Sequence, residues 1–416
     1  MGPLLDRPRT SAAGVSAASE RDAVGDERRA RRRRARRRRR LRIVLVLLLL
    51  GLLAPVVYSY ASTMARPSSL PLSVRTVEWI RSHHGAWLVD TAERYWYSWH
   101  TPKKGGPTLR RLPTVGLRLA RTTVAPRSPH AARPYRPPRI QPVLHPPLPG
   151  EGVWRRVGPD VRGAPPLLVT TFRSDRDYPR VVAYVAWIDH TRTRLGLYPG
   201  RYEPPGASPR GPMEVPPGER RRLVATFNSG FTYGDGHGGF VVDGRTAEPL
   251  RSGDGTVVAY RDGHVNIVSW NGGGQPGPSV VLARQNLPLI VVRGRPSPLL
   301  DSRRNWGNTL GDAVRVWRSG LGIDRRGNLI YLAADLQTVK TLAAALVRAG
   351  AVRAIELDIN PEWPTFVAYS GWGARGPLKV VPNGQQPATR YLVPDDRDFF
   401  AVYRTNGRLP ATVPFR

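Results

Sequence analysis

From Ile43 to Ala65 the chain carries no charged residue, and its middle reads Ile-Val-Leu-Val-Leu-Leu-Leu-Leu-Gly-Leu-Leu-Ala-Pro-Val-Val. A helix of about 20 apolar residues crosses the hydrocarbon layer of a bilayer, so this stretch is expected to span a membrane. Directly before it, Arg28 to Arg42 is broken only by Ala30, Ala35 and Leu41. Positive charge beside a span stays in the cytoplasm. The expected topology is therefore single-pass in the cell membrane, with the N-terminus cytoplasmic and the C-terminal part extracellular. A cleaved signal peptide is the rival reading. The long basic region before the span, and the poor cleavage sequence Thr63-Met64-Ala65, favour a retained anchor. The Arg tract also has the character of a nucleic-acid-binding run, but its position against an apolar span makes it a topological anchor, and no nucleic-acid partner is expected.

The charge follows this division. The net charge of +33 is concentrated before the domain that can fold: residues 101–150 contain ten basic and no acidic residues. The basic residues are nearly all Arg, which together with abundant Ala, Gly and Pro suits a GC-rich bacterial genome. The 416 residues are 40% hydrophobic and include no Cys. That is enough apolar material for a core without disulfides, and it excludes thiolate metal sites and cysteine nucleophiles. The eight His residues are scattered without metal-ligand spacing. Neither a GxSxG elbow nor a Walker sequence occurs, and no cofactor or metal is implied.

Five segments are expected: a disordered basic tail over 1–42, the span over 43–65, an aromatic helical juxtamembrane segment over 66–100, a Pro/Arg-rich spacer over 101–150, and a folded domain over 151–416. Trp79, Trp87, Tyr95, Trp96, Tyr97 and Trp99 fit a helix against the outer leaflet, or one packed on the domain. The spacer lacks the apolar residues of a core. After Glu151 short apolar runs predict strands at 165–172, 181–188, 222–227, 240–242, 256–260, 265–270, 280–283, 328–334 and 352–358. One helix is predicted from Val339, Leu342, Ala343, Leu346 and Val347, closed by Gly350. The expected fold class is α+β, a strand-rich mixed sheet with few helices.

Several stretches carry polar groups suited to chemistry. Gly234-Asp-Gly-His237-Gly-Gly239 contains GxGxxG, but a strand and turn follow instead of a helix, so it is no dinucleotide fingerprint. It is a loop, mobile or closing on a ligand. Asn228-Ser-Gly230-Phe ends a strand where small residues let a backbone approach substrate. In Val352–Asp358, alternation puts Ala354, Glu356 and Asp358 on one face. Paired carboxylates suit acid and base roles, because repulsion separates their pKa values. Arg318, on an otherwise apolar strand face, needs a carboxylate or phosphate for its planar fork. Trp363 and Trp372 are either sugar-stacking or core residues.

In this order the pieces resemble the phosphodiester glycosidase family. Its pattern runs from a strand into Asn-Gly-Gly-Phe and a Gly-rich stretch, through an Arg-x-x-x-Gly strand pair, to a helix and a strand ending Asn-Leu-Asp-Gly-Gly. Here these are Thr226-Phe-Asn-Ser-Gly-Phe231 with Gly238–Gly244, Arg318-Ser-Gly-Leu-Gly322 with Gly327–Asp335, and Thr338–Gly350 with Ala354-Ile-Glu-Leu-Asp358. The resemblance implies hydrolysis of the link between a phosphate and a sugar's anomeric carbon. It implies polar site residues at Asn228, Arg318 and Asp358, with Gly230 and Gly239 as backbone-shape positions. In that reading Arg318 holds the phosphate, Asp358 with Glu356 acts as acid or base, and Asn228, His237 and Trp363 position the sugar. The expected partners are membrane lipid and an anionic glycan or glycosyl phosphate of wall polymer or exopolysaccharide. The chain departs from the pattern at Ile359-Asn360, where the family has Gly-Gly, and at Glu356, where it has Asn. These departures leave a second reading, a non-catalytic glycan-binding or scaffold protein on the same fold.

Overall fold

A computed structural model describes residues 13–99, 103–113, 134–301, 306, 315–383 and 386–405. The chain divides into two units, 1–66 and 67–416. The first is one helix, α1 (Ala13–Ala65). Its part Arg31–Ala65 is long and apolar enough to cross a membrane, and Pro55 lies inside it. N-terminally the helix continues through the Arg tract to Ala13, where the sequence by itself read as a disordered tail. Ala, Arg and Glu are good helix formers. Residues 1–12 of that tail and 114–133 of the spacer lie outside the described residues.

The second unit opens with two helices, α2 (Leu72–Ile80) and α3 (Ala86–Trp99), separated by a kink where His84 takes φ 64°. The spacer expected over 101–150 is tied down in its last part. Ile140 donates its N–H to Gly152 O at 3.0 Å, and Trp154 Nε1 donates to Pro138 O at 2.8 Å. Glu151, fully buried, holds Arg173 at 2.8 Å, and Arg173 Nη2 reaches Pro146 O at 2.9 Å. Proline-rich backbone has few N–H groups of its own, and beside Ile140 N–H the domain's Trp154 and Arg173 supply donors that fix it.

Three sheets follow. The largest has the order Arg155–Arg156, Leu167–Arg173, Val182–Ile188, Leu329–Gln337, Val316–Ile323, Arg353–Glu356, Val291–Val292, Arg295–Pro296. A second contains Leu223–Asn228 between Phe366–Gly371 and Phe399–Arg404, and a third contains Phe240–Val242 and Val280–Gln285. Hydrogen-bonded neighbours are antiparallel throughout the described residues, rather than mixed. The strand-rich α+β class is as the apolar runs foretold, since short turns between such runs favour antiparallel neighbours. One crossover runs through a helix: Leu329–Gln337 and Arg353–Glu356 flank Val316–Ile323 and are joined by a helix over Val339–Arg348.

That helix begins at a reciprocal cap. Thr338 Oγ1 accepts from Thr341 N at 3.2 Å while Thr341 Oγ1 accepts from Thr338 N at 2.9 Å, which satisfies two donors otherwise left open. It buries Leu342 and Leu346 on one face of the large sheet. Gly320 permits the approach, because a Cβ there would lie 2.9 Å from Leu346 Cδ1. The opposite face of the sheet meets the second sheet through Leu321, Tyr331 and Ile355 against Phe227, Phe366 and Phe400. These two buried faces decide where each polar side chain of the central strands ends up.

Candidate functional site

Asn228 is the last residue of its strand and pairs with Phe399. Its Nδ2 donates to Ser319 Oγ and to Ser229 O, both at 3.0 Å. Its Oδ1 accepts from Tyr331 Oη at 2.8 Å and from Thr365 N at 3.0 Å. All four positions of the amide are used, so Asn228 is a bracket that fixes four segments. Ser319 Oγ passes the connection on, donating to Asp358 O at 2.8 Å, and Asp358 N donates to Ser229 O at 3.0 Å. Asn228 and Asp358 thus meet on the side of the sheet that faces the second sheet.

Arg318 and Glu356 lie on the other side. The strand ends at Glu356, so the alternation that would align Glu356 with Asp358 stops there, and the chain turns. Glu356 stands opposite Gly320, on the helix-covered face, where Arg318 Nη1 donates to its Oε1 at 2.7 Å. Arg318 also donates to Gln337 O and Trp306 O. Both residues are fully buried. The spacing of the sequence therefore joins two carboxylates that the fold separates, and gives Arg318 a carboxylate partner inside the protein.

The guanidinium that does reach Asp358 is Arg397, whose Nη2 donates to Asp358 Oδ2 at 2.5 Å. Glu78, from α2, approaches the same guanidinium at 3.8 Å. A second guanidinium lies nearby: Arg284 donates to Asp398 Oδ2 at 2.7 Å and to Phe231 O at 2.6 Å. Asn286 donates to Glu356 O at 2.6 Å. Arg397 is flanked in sequence by Asp395, Asp396 and Asp398, directly before the strand Phe399–Arg404. That charged run against an apolar strand was the available signal, and spacing from Asp358 gave no hint of the pairing.

The remaining predicted residues have different surroundings. A Cβ on Gly230 would sit 3.3 Å from Asn286 Cγ and 3.4 Å from Arg284 Cζ. The Gly-rich loop holds a one-turn helix, Tyr233–Gly236, capped when Thr232 Oγ1 accepts from Asp235 N at 3.1 Å. His237 follows it with φ 48°, exposed and edge-on to Tyr233. Gly239 is tightly enclosed: a Cβ there would lie 2.7 Å from Leu250 Cα and from Gln285 Oε1. Gly239→Ala is expected to cost about 1–3 kcal/mol through overpacking, read as a lower denaturation midpoint. Trp363 is 1% exposed, with the Arg390 and Arg397 guanidinium carbons 4.8 and 4.9 Å from its ring and Leu70 and Val74 packed against it. Trp372 is half-buried beneath Arg404.

Burial raises the carboxyls of Asp358, Glu78 and Glu203 above their ordinary range, with Arg397 opposing the shift in each case. Asp235 and Asp398 push Asp358 further up. The folded protein then holds more protons on these groups than the unfolded chain does. Their contribution makes stability fall as pH rises from the ordinary carboxyl values through the raised ones, and level off above them. Glu78→Gln is expected to flatten that part of the melting-temperature profile against pH.

Three buried polar atoms near the Asp358–Arg397 pair have no hydrogen-bond partner among the described residues: Ser229 Oγ, Arg397 Nε and Trp363 Nε1. Such atoms are uncommon in protein interiors, and here three gather around one carboxylate and one guanidinium. Among the described residues no group of three or more His, Asp or Glu is arranged to hold a metal ion.

Residues 221–358 match the family model of phosphodiester glycosidases. Among the solved structures that show distant likeness are the following three. The zebrafish N-acetylglucosamine-1-phosphodiester alpha-N-acetylglucosaminidase catalytic domain, auto-inhibited by its pro-peptide, is 17% identical with a TM-score of 0.42, over 60% of this chain and 87% of that one. A Synechocystis protein is 13% identical with a TM-score of 0.34, over 60% of this chain and 64% of that one. An exported protein of Burkholderia pseudomallei is 12% identical with a TM-score of 0.30, over 53% of this chain and 74% of that one. No curated protein matches.

Proposed function

We propose that this chain, whose residues 221–358 match the phosphodiester glycosidases, is a membrane-anchored hydrolase of glycosyl phosphodiesters acting on the outer side of the cell membrane. The observation that carries this reading is the Arg397–Asp358 pair at 2.5 Å, set among partnerless buried polar atoms and joined to Asn228 through Ser319. Water adds across the bond between the anomeric carbon and the phosphate oxygen, giving a free sugar and a phosphate monoester. Arg397 holds the phosphate in the planar geometry it now offers to carboxylates. Asp358, whose carboxyl burial shifts upward against the pull of Arg397, gives its proton to the departing oxygen. Asn228 and Ser319 position Asp358, and His237 and Tyr233 stand at the rim. Arg318 and Glu356 support the strand behind the site. Wall polymers and exopolysaccharide are the sources of such substrates outside a bacterial membrane.

Helix α2 covers this site. Leu70 and Val74 seat on Trp363, and Glu78 stands where a phosphate would meet Arg397. Substrate enters when α2 lifts, which also bares the Trp363 ring for a sugar face. Val74→Ala removes about 1–2 kcal/mol of burial. It is therefore expected to raise the uncovered fraction, and kcat/KM with it, about fivefold to thirtyfold. An unchanged kcat/KM would mean that α2 is a fixed part of the domain.

The second reading, a glycan-binding protein without turnover, is favoured by Ile359-Asn360. Ile359 is buried and Asn360 N donates to Asp358 Oδ1 at 3.0 Å, closing the turn that Gly-Gly would leave open. Incubating the full chain with a glycosyl phosphodiester separates the two readings. Release of reducing sugar supports the hydrolase, and saturable binding without release supports the binder.

A further inference from the structure

Helix α3 is turned inside out for a helix in water. At 100° per residue, Trp87, Leu88, Tyr95, Trp96 and Trp99 fall on one half of its circumference, and Asp90 and Glu93 on the other. The aromatic half faces outward, from 51% exposed at Leu88 to 85% at Trp99. The acidic half faces inward. Arg81 Nη2 donates to both Glu93 carboxylate oxygens at 2.9 Å and stands 3.7 Å from Asp90. Ordinary amphipathic helices bury the apolar side and leave the charges to water. Here the charges are satisfied inside the hairpin, and the apolar side is the exposed one.

We infer that this aromatic face lies in the interfacial layer of a lipid bilayer. Three observations select lipid as the occupant. The exposed rings are three Trp and one Tyr, amphipathic groups that concentrate where hydrocarbon meets headgroups. The apolar helix ending at Ala65 is only 20 residues before Ala86, and even fully extended that connection reaches about 70 Å, so the face is tethered near any membrane the helix enters. The polar side needs no outside partner. A helix whose outward face is apolar and whose charges turn away is suited to lying flat in that layer. The inference rests on α1 being inserted in the membrane.

The test uses the full chain reconstituted into phosphatidylcholine liposomes with and without brominated acyl chains. Residues 31–65 contain no Trp, so quenching of Trp fluorescence by bromine reports on the rest of the chain. The expected result is quenching in the native chain that disappears in the triple variant Trp87→Ser, Trp96→Ser, Trp99→Ser, while both proteins float with the liposomes. Flotation without quenching, or equal quenching in the variant, overturns the inference and leaves the anchor intact. A chain that does not float overturns the anchor and the inference together. The substituted rings are exposed, so the near-UV circular dichroism of the domain's buried aromatics should show the same fold in both proteins.

Discussion

Asp358→Asn should lower kcat for a glycosyl phosphodiester about 10²–10⁴-fold, the usual worth of a positioned general acid or base, while the chain stays folded. The amide keeps the shape of the side chain and still accepts from Asn360 N, the bond that closes the turn. What it loses is the transferable proton. Burial raises the Asp358 carboxyl and Arg397 opposes the rise. In the native chain the acid form is depleted as pH climbs through that raised value, so kcat should fall on the alkaline side. Arg397→Gln removes the opposing charge and should move the alkaline limb to higher pH, with a higher KM because the phosphate loses its partner. If Asp358→Asn turned over at the native rate, with the same pH profile, Asp358 would have no part in proton transfer and the proposed chemistry would fail.

Arg318→Ala should destabilise the domain by about 3–5 kcal/mol, because it leaves the Glu356 carboxylate buried without its cation. Glu356→Ala should cost a similar amount for the reciprocal reason. Replacing both together, Arg318→Met with Glu356→Leu, should recover much of the loss, since a buried ion pair is often no more stable than apolar groups of the same volume. Urea unfolding of the three variants reads this directly. The family resemblance assigns Arg318 to substrate, whereas its placement at zero exposure, 2.7 Å from Glu356, assigns it to the structure. An Arg318→Ala protein with native stability and a raised KM alone would return the residue to the substrate.

The contrast between these two arginines shows how far the sequence could be read. Periodicity within a segment is local, and it was sufficient for the apolar helix before Ala65, for the helix Val339–Arg348, and for strands such as Val182–Ile188 and Phe240–Val242. It also located Asn228 and Asp358, each at the end of an apolar run. The strands Thr193–Tyr198, Phe366–Gly371 and Phe399–Arg404 went unread. In Thr193–Tyr198, Thr, Arg and Gly dilute the apolar pattern, whereas Phe366–Gly371 and Phe399–Arg404 are apolar runs whose local signal was present and overlooked.

Residue order by itself determined that an apolar helix, an aromatic helical segment and a strand-rich domain with the phosphodiester-glycosidase motifs would follow one another, because each depends on side chains close together in the chain. Only the tertiary structure decided which charges meet. Pairing Phe399 with Asn228 carries Arg397 across 39 positions to Asp358, and the end of a strand at Glu356 sends two nearby carboxylates to opposite sides of a sheet. Electrostatic partners are chosen by distance in space, and the alternation that predicts a side chain's direction holds only as long as the strand does.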